Sequence, residues 1–339
     1  MSPERSPDLS VLLPVRDAEA VLEAALESLT RQTFPSFEVI AVDDGSTDGS
    51  LAILERHAEK DPRFRVISQA ALGIVAALEK ARREARAPLL ARMDADDIAH
   101  PERFEAQVEH MGREPRLAAC GSHVRYFPEA TVRGGARRYE GWLNSFTSSE
   151  EIERDLFVEC PLAHPSLLLD ADAVSRVGGY RSSGWSEDYD LLLRLWEGGL
   201  RLGVVPRTLL YWREGPARLS RNHDDYSPAA FRRVKLHFLR RTLLRGRTGL
   251  VVWGAGPTGK SFAREAIRQG VTLLAFVDLD PRKIGQDIHG APVIAPHDLE
   301  RVRGALCVAA VGRNGVREEI RSTLRAAGWQ DGKGFIAVA

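Results

Sequence analysis

Three cysteines in 339 residues, Cys120, Cys160 and Cys307, are too few and too widely spaced for a disulfide framework or a cysteine-rich zinc site. A reducing compartment is the expected setting. No apolar run approaches the roughly 20 residues that span a bilayer. The first ten residues, MSPERSPDLS, are polar and lack the apolar stretch of a secretory signal. The expected location is therefore cytoplasmic, or peripheral at the inner face of a membrane. An excess of charge is also missing. Forty-seven Lys+Arg face 47 Asp+Glu, for a formal net charge of +0. Without a general cationic field, nucleic acid is not an expected partner. What is present is ordinary for a globular chain: 44% apolar and 28% charged residues, at a length that suggests two domains.

Strand-like and helix-like patterns alternate through the first 115 residues. Apolar runs at 11–15, 37–42, 64–67 and 89–93 read as strands. Between them, helical spacing appears over 21–29, 48–60 and 73–86. Such alternation implies an α/β fold with a mostly parallel sheet covered by helices. From 117 to 214 the pattern mixes strand-like pieces (117–127, 165–169, 200–205, 208–212) with a helix near 187–198. That helix carries Tyr189, Leu192, Leu193 and Trp196 as its expected buried stripe. Residues 128–150 read as a loop.

Ligands of parallel sheets bind beyond the carboxyl ends of the strands. Two acidic clusters fall there: Asp43-Asp44 after the second strand, and Asp94-Ala95-Asp96-Asp97 after the fourth. Asp94-Ala95-Asp96 is a D-x-D pattern, a carboxylate pair suited to holding a hard divalent cation against a diphosphate. Acids at strand ends also cap helices, and Asp97 is expected to cap the segment opening at Pro101. Asp48 could be a plain N-cap for the helix that follows. Asp44 could accept from the N3–H of a uracil ring, since a carboxylate only accepts.

Four separated blocks occur in a recognisable order. SVLLPVRDAEAVLEAALESLTRQTFPSFEVIAVDDGSTDGS (10–50) and ARMDADDIAHPERF (91–104) are followed by HPSLLL (164–169), then GGYR (178–181) with SEDYDLLLRLWEGG (186–199). Together they resemble family 2 glycosyltransferases over about residues 9–215. The resemblance implies a GT-A fold, a nucleotide-sugar donor, a hydroxyl acceptor and Mn²⁺ or Mg²⁺. It implies that Pro14 and Val15 line the nucleotide pocket and that Asp44 faces the base. Asp94, Ala95 and Asp96 would meet the ribose and the metal, with Asp96 as the direct ligand. Of the acid pair Glu187-Asp188, Asp188 would be the base, with Glu187 holding the acceptor or orienting a neighbour. The helix dipole alone would also favour acids in that first turn. His164 fits an acceptor border or a structural role, and Trp185 fits a sugar platform or a lid. Arg218, Ser220, Arg221 and His223 could close over the diphosphate, with His223 as a third metal ligand. The alternative for that loop is a solvated basic turn. Arg16-Asp17 departs from the aromatic-Asn of many relatives. The Q-x-x-R-W pattern of processive synthases is absent, which favours transfer of a single sugar.

The expected domains are a GT-A unit over 1–224, a basic linker helix over 225–247, and a small Rossmann-like α/β domain over 248–339. The stretch 231–247 carries seven Lys/Arg and no acid. It reads as a helix packed on one domain, with peripheral contact to an anionic membrane as the alternative. In the last domain Gly254, Gly256 and Gly259 form G-x-G-x-x-G between a strand and a helix, and Asp278 follows where a ribose-binding acid belongs. An NAD(P) or nucleotide ligand is one reading; a docking or oligomer-forming module is the other. No Tyr-x-x-x-Lys pair follows.

The leading expectation is an inverting, metal-dependent transferase that uses a UDP-sugar in cell-surface polysaccharide or glycoconjugate synthesis. It would be a hexosyl- or N-acetylhexosaminyltransferase. The competing readings are an NAD(P)-linked oxidoreductase or sensor acting through 249–339, and a catalytically silent nucleotide-sugar scaffold.

Overall fold

Continuous apolar runs of β-formers become strands buried on both faces, as parallel sheets require. The computed structural model describes residues 6–215, 218, 221, 223–313 and 315–339. Its contacts divide the chain into two units. The first comprises Met1–Ser149, Leu162–Ser183 and Glu187–Asn222; the second comprises Glu150–Pro161, Gly184–Ser186 and His223–Ala339. By contacts, residues 225–247 go with the second unit.

The first unit is built on strands β1 (Leu9–Val15), β2 (Phe37–Asp44), β3 (Phe64–Gln69), β4 (Leu89–Arg92), β5 (Ile98–Ala99), β6 (Leu117–Phe127), β7 (Leu168–Asp170) and β8 (Arg201–Arg213). They form one sheet in the order β3-β2-β1-β4-β7-β6-β8-β5. Pairs among β3, β2, β1 and β4 are parallel, as is β6 with β8; β7 and β5 pair antiparallel. The chain steps from β1 to β2 on one side and later to β4 on the other. That reversal opens a crevice at the carboxyl ends of β1 and β4.

Helix α1 (Leu22–Thr30) buries Leu22, Ala25, Leu26 and Leu29 against this sheet's core, which also holds Val11, Leu13, Val39 and Ala41. Helices α2 (Ser50–Lys60), α3 (Ile74–Glu84) and α4 (Arg103–Arg113) follow in order. Helix α5 (Gly134–Leu143) occupies part of the region read as a loop. Its Gly-Gly start looks like a turn, but Tyr139, Trp142 and Leu143 pack on the core. After α6 (Ser149–Asp155) and α7 (Ala171–Arg176) comes α8 (Glu187–Glu197). On α8 Tyr189, Leu192 and Leu193 are buried as expected, but so are Leu191 and Leu195, while Trp196 is only partly covered. The helix therefore buries most of its circumference, and Asp190 pairs with Nε of the buried Arg194 at 2.7 Å. The two strands expected over 200–212 are one, β8. Its pairing with β6 jumps from Val205 to Thr208, so Pro206 and Arg207 bulge out of the ladder.

The second unit holds α9 (Pro228–Arg241), α10 (Pro257–Arg268) and α11 (Val316–Ala326) with β9 (Leu250–Trp253), β10 (Leu273–Val277), β11 (Asp287–Ile288), β12 (Ala291–Ile294), β13 (Leu306–Ala309) and β14 (Phe335–Ala337). The sheet order is β11-β12-β10-β9-β13-β14, parallel except for the β11–β12 pair. Gly259 must be glycine: an added Cβ would lie 1.8 Å from the Gly254 carbonyl oxygen. Among the described residues no helix is long and apolar enough to cross a membrane.

Candidate active site

Strand β2 runs on through Asp43 and Asp44, so both acids are part of the sheet's edge and are buried. Asp44 Oδ1 accepts from Gln69 Nε2 at 2.8 Å and from the Leu72 amide at 2.9 Å; Oδ2 accepts from the Gly73 amide at 2.8 Å. Arg16 Nη1 stands 3.8 Å from the same carboxylate. Three of its roughly four acceptor sites are thus taken by the chain itself. Gly45 makes this possible. Its φ is +70°, and an added Cβ would lie 2.7 Å from the Ala71 amide nitrogen. Pro14 and Val15 end β1, with Val15 opposite Asp43; Val15 is buried and Pro14 half-buried. Asp48 accepts from the Ser50 and Glu19 amides, both at 3.0 Å, at the start of α2.

Beyond β4 the chain gathers three carboxylates. Asp94, Asp96 and Asp97 each bring an oxygen within 4.8 Å of the others. Ala95 between them is buried in the core. Asp97 does not cap the segment at Pro101. Its Oδ1 accepts from the Arg213 amide at 2.7 Å, and its Oδ2 is buried with no hydrogen-bond partner among the described residues. The bulge in β8 precedes Arg213, whose Nε also donates to the Asp96 carbonyl at 2.6 Å. Burial, then the charge of Asp94, pushes the Asp96 carboxyl up to about 6, while Arg92 and Arg218 hold it down. Asp97 is raised by burial and by both neighbouring acids. A hard oxygen set under mutual repulsion, with one orphaned buried oxygen, fits Mg²⁺ or Mn²⁺.

The arginine just before this cluster was not singled out in the sequence, although a charged residue in a buried strand was a visible signal. Arg92 is 2% exposed and pairs through Nη1 with Asp94. Burial works against its charge, but Asp94, Tyr180 and Glu187 together outweigh it and raise its pKa. Arg103, from the PERF block, is also fully buried. It donates to the Arg92 carbonyl at 2.7 Å and to the Leu167 carbonyl at 3.4 Å, tying the acidic strand end to the turn after His164.

Glu187 and Asp188 open α8, with Glu187 buried and Asp188 half-buried. His164 is buried beside them, its Nδ1 3.4 Å from Glu187 Oε1 and its Nε2 3.2 Å from the Tyr180 hydroxyl. With the ring hydrogen on Nδ1, His164 would donate towards Glu187 and Nε2 would accept from the Tyr180 hydroxyl. Tyr180 is raised by burial and, in smaller measure, by the charges of Glu187, Asp188 and Glu79; Arg92 opposes them. Both acidic sets of the first unit thus act electrostatically on one buried pair, Arg92 and Tyr180. Glu79 on α3 accepts from the Tyr180 amide at 3.2 Å and fixes the GGYR turn.

Arg218 is mostly buried, not a solvated turn. It stacks over Trp212 at 4.2 Å and Tyr126 at 5.3 Å and pairs with Glu214 at 3.2 Å. Arg221 also pairs with Glu214, and Ser220 lies outside the described residues. His223 belongs to the second unit, where its Nδ1 stands 3.6 Å from Asp225. Trp185 is in that unit too, its ring against His237. Around the glycine motif, Asp278 accepts from the Ala255 amide and Lys283 Nζ at 2.9 Å and from the Asp280 amide at 3.0 Å. These bonds outweigh the effect of burial and lower its pKa. Space is open above Gly256.

Residues 10–175 match the model of the glycosyl transferase family 2. The amylovoran biosynthesis glycosyltransferase AmsE of Erwinia amylovora is 31% identical over 243 residues, 70% of this chain and 89% of AmsE. S. aureus TarS 1-349, solved in complex with UDP-GlcNAc, superposes with a TM-score of 0.56 at 17% identity, over 68% of this chain and 66% of that one. The mannosyltransferase PcManGT of Pyrobaculum calidifontis, solved with GDP-Man and Mn²⁺, gives 0.51 at 20% identity, over 70% and 63%. These two likenesses concern the fold. The sequence match to nearly the whole of AmsE, with the family model lying over the strands that carry the acidic clusters, makes this chain a member of glycosyltransferase family 2.

Proposed function

We propose that this family 2 glycosyltransferase moves a single hexose or N-acetylhexosamine from a UDP-sugar to a hydroxyl acceptor, with inversion, in the synthesis of a polysaccharide or glycoconjugate. The observation that carries the reading is a pair of acidic sets in the first unit: Asp94, Asp96 and Asp97, whose oxygens lie within 4.8 Å of one another, and Glu187 with Asp188 in the first turn of α8. One set is suited to the donor and the other to the acceptor. The name of AmsE, which concerns amylovoran biosynthesis, supports a polysaccharide product. TarS and PcManGT were solved with donors of different base, so the UDP choice leans on Asp44 and its remaining acceptor site.

Asp188 accepts the proton of the attacking hydroxyl as that oxygen closes on the anomeric carbon and the bond to the diphosphate breaks. His164 holds Glu187 through its Nδ1–H, leaving Glu187 to orient the acceptor or its neighbour. Asp96, with Asp94 and Asp97, would hold Mn²⁺ or Mg²⁺. Such an ion, when bound, neutralises charge on the leaving diphosphate. Arg92 pairs with Asp94 beside Asp96.

Titration calorimetry of UDP with and without Mn²⁺ tests the donor half. Asp96→Ala should weaken Mn²⁺-dependent UDP binding by at least about tenfold, the low end of what losing even an outer-shell partner of a metal costs. Unchanged UDP affinity in the variant, with and without Mn²⁺, would remove Asp96 from the metal site.

A further inference from the structure

Helix α9 carries three side chains that hold the chain just before catalytic segments. Arg233 Nη2 donates to the Gly184 carbonyl at 2.7 Å. One turn later His237 packs its ring on Trp185, with centroids 5.3 Å apart. Lys235 points to the other side of the helix, about 200° round from Arg233. Its buried Nζ donates to the Val158 carbonyl at 2.7 Å and the Val338 carbonyl at 3.2 Å. Gly184 and Trp185 lead through Ser186 straight into Glu187 and Asp188, and Val158 lies shortly before His164. The same 150–161 stretch is fastened again where buried Asp155 pairs with Arg321 of α11.

The segment ahead of α8 needs such support. Residues 181–184 are all exposed, and Gly184 has a φ of +76° with nothing near its missing Cβ. A positive φ of this kind is one that glycine adopts without steric cost. A general base works only within hydrogen-bond reach of its proton, and a misplacement of about 1 Å can cost about a hundredfold in rate.

We propose that Arg233 and His237 are positioning residues for the transfer reaction: by fixing Gly184–Trp185 they set the path by which the chain delivers Asp188. Lys235 fixes the approach to His164 in the same way. This rests on Asp188 being the base.

The test uses the full chain. Its readouts are hydrogen exchange over 184–190, calorimetric binding of UDP with Mn²⁺, and UDP release from UDP-hexoses with octyl glycosides as acceptors. Arg233→Ala should speed exchange over 185–189, leave UDP affinity unchanged, and lower kcat by about ten- to a hundredfold. Arg233→Lys, which keeps a donor, should restore most of the loss. His237→Ala removes the ring contact with Trp185 and should give the same pattern more weakly, so a folding defect in one variant does not decide the matter. Wild-type exchange and kcat in both alanine variants would overturn the proposal, as would parallel loss of UDP affinity and kcat, the mark of general unfolding. Asp188→Asn separates the two claims. If it transfers normally, the base assignment fails. If it is inactive while both α9 variants behave as wild type, only the positioning claim fails.

Discussion

At the scale of single residues, the chemistry depends on charges held where water would normally screen them. Asp96 shows the consequence. Its folded-state pKa, about 6, lies above the ordinary 3.8 because burial and Asp94 disfavour the anion. The sign follows from proton linkage. The folded protein binds this proton more tightly than the unfolded chain, so ionising Asp96 costs stability. That cost is absent below the ordinary carboxylate value, grows as pH rises towards about 6, and is complete above it. A divalent cation binds the ionised form and cancels the repulsion. The rise in melting temperature on adding Mn²⁺ should therefore be large at about pH 7.5 and mostly gone by about pH 5. An equal rise at both would mean that the ion binds away from Asp96. The acids themselves were legible in the sequence because motif and strand end coincide. Arg92, Tyr180 and Glu79 were not, because their importance comes from which elements the fold brings beside them.

At the scale of elements, the strands were the most legible part. The runs at 37–42 and 64–67 fall within Phe37–Asp44 and Phe64–Gln69, because continuous apolar runs admit little else. Helix α5 was missed because Gly134 and Gly135 read as a turn, whereas its apolar residues act only once the core is present. The β8 bulge was missed because Pro206 argues for a break, and only pairing with β6 carries the strand past it. Asp155 on α6 was silent in sequence, and it carries a prediction. Its buried carboxylate pairs with buried Arg321 and lies 3.8 Å from Arg317. Asp155→Ala leaves Arg321 buried without that partner and should cost about 3–5 kcal/mol in chemical denaturation. A loss under about 1 kcal/mol would show that Asp331, 3.6 Å from Arg321 Nε, is partner enough.

At the scale of the whole molecule, the formal net charge is +0 and the basic run of 231–247 is the main local excess of one sign noted in the sequence. Lys235 within that stretch is buried and serves carbonyls, so the run is partly structural. The glycine motif of the second unit is likewise partly self-occupied. Asp278 holds its own loop through Ala255, Asp280 and Lys283. Both features favour an account in which the chemistry belongs to the first unit and the second supports it. That account turns on Asp188, and the most direct measurement compares Asp188→Asn with the wild type in UDP binding with Mn²⁺ and in UDP release from UDP-hexoses with octyl glycosides. The account predicts unchanged UDP affinity with turnover lowered by roughly a hundredfold or more, the span of a lost general base. Turnover near wild type, or loss of UDP binding in step with turnover, would contradict it.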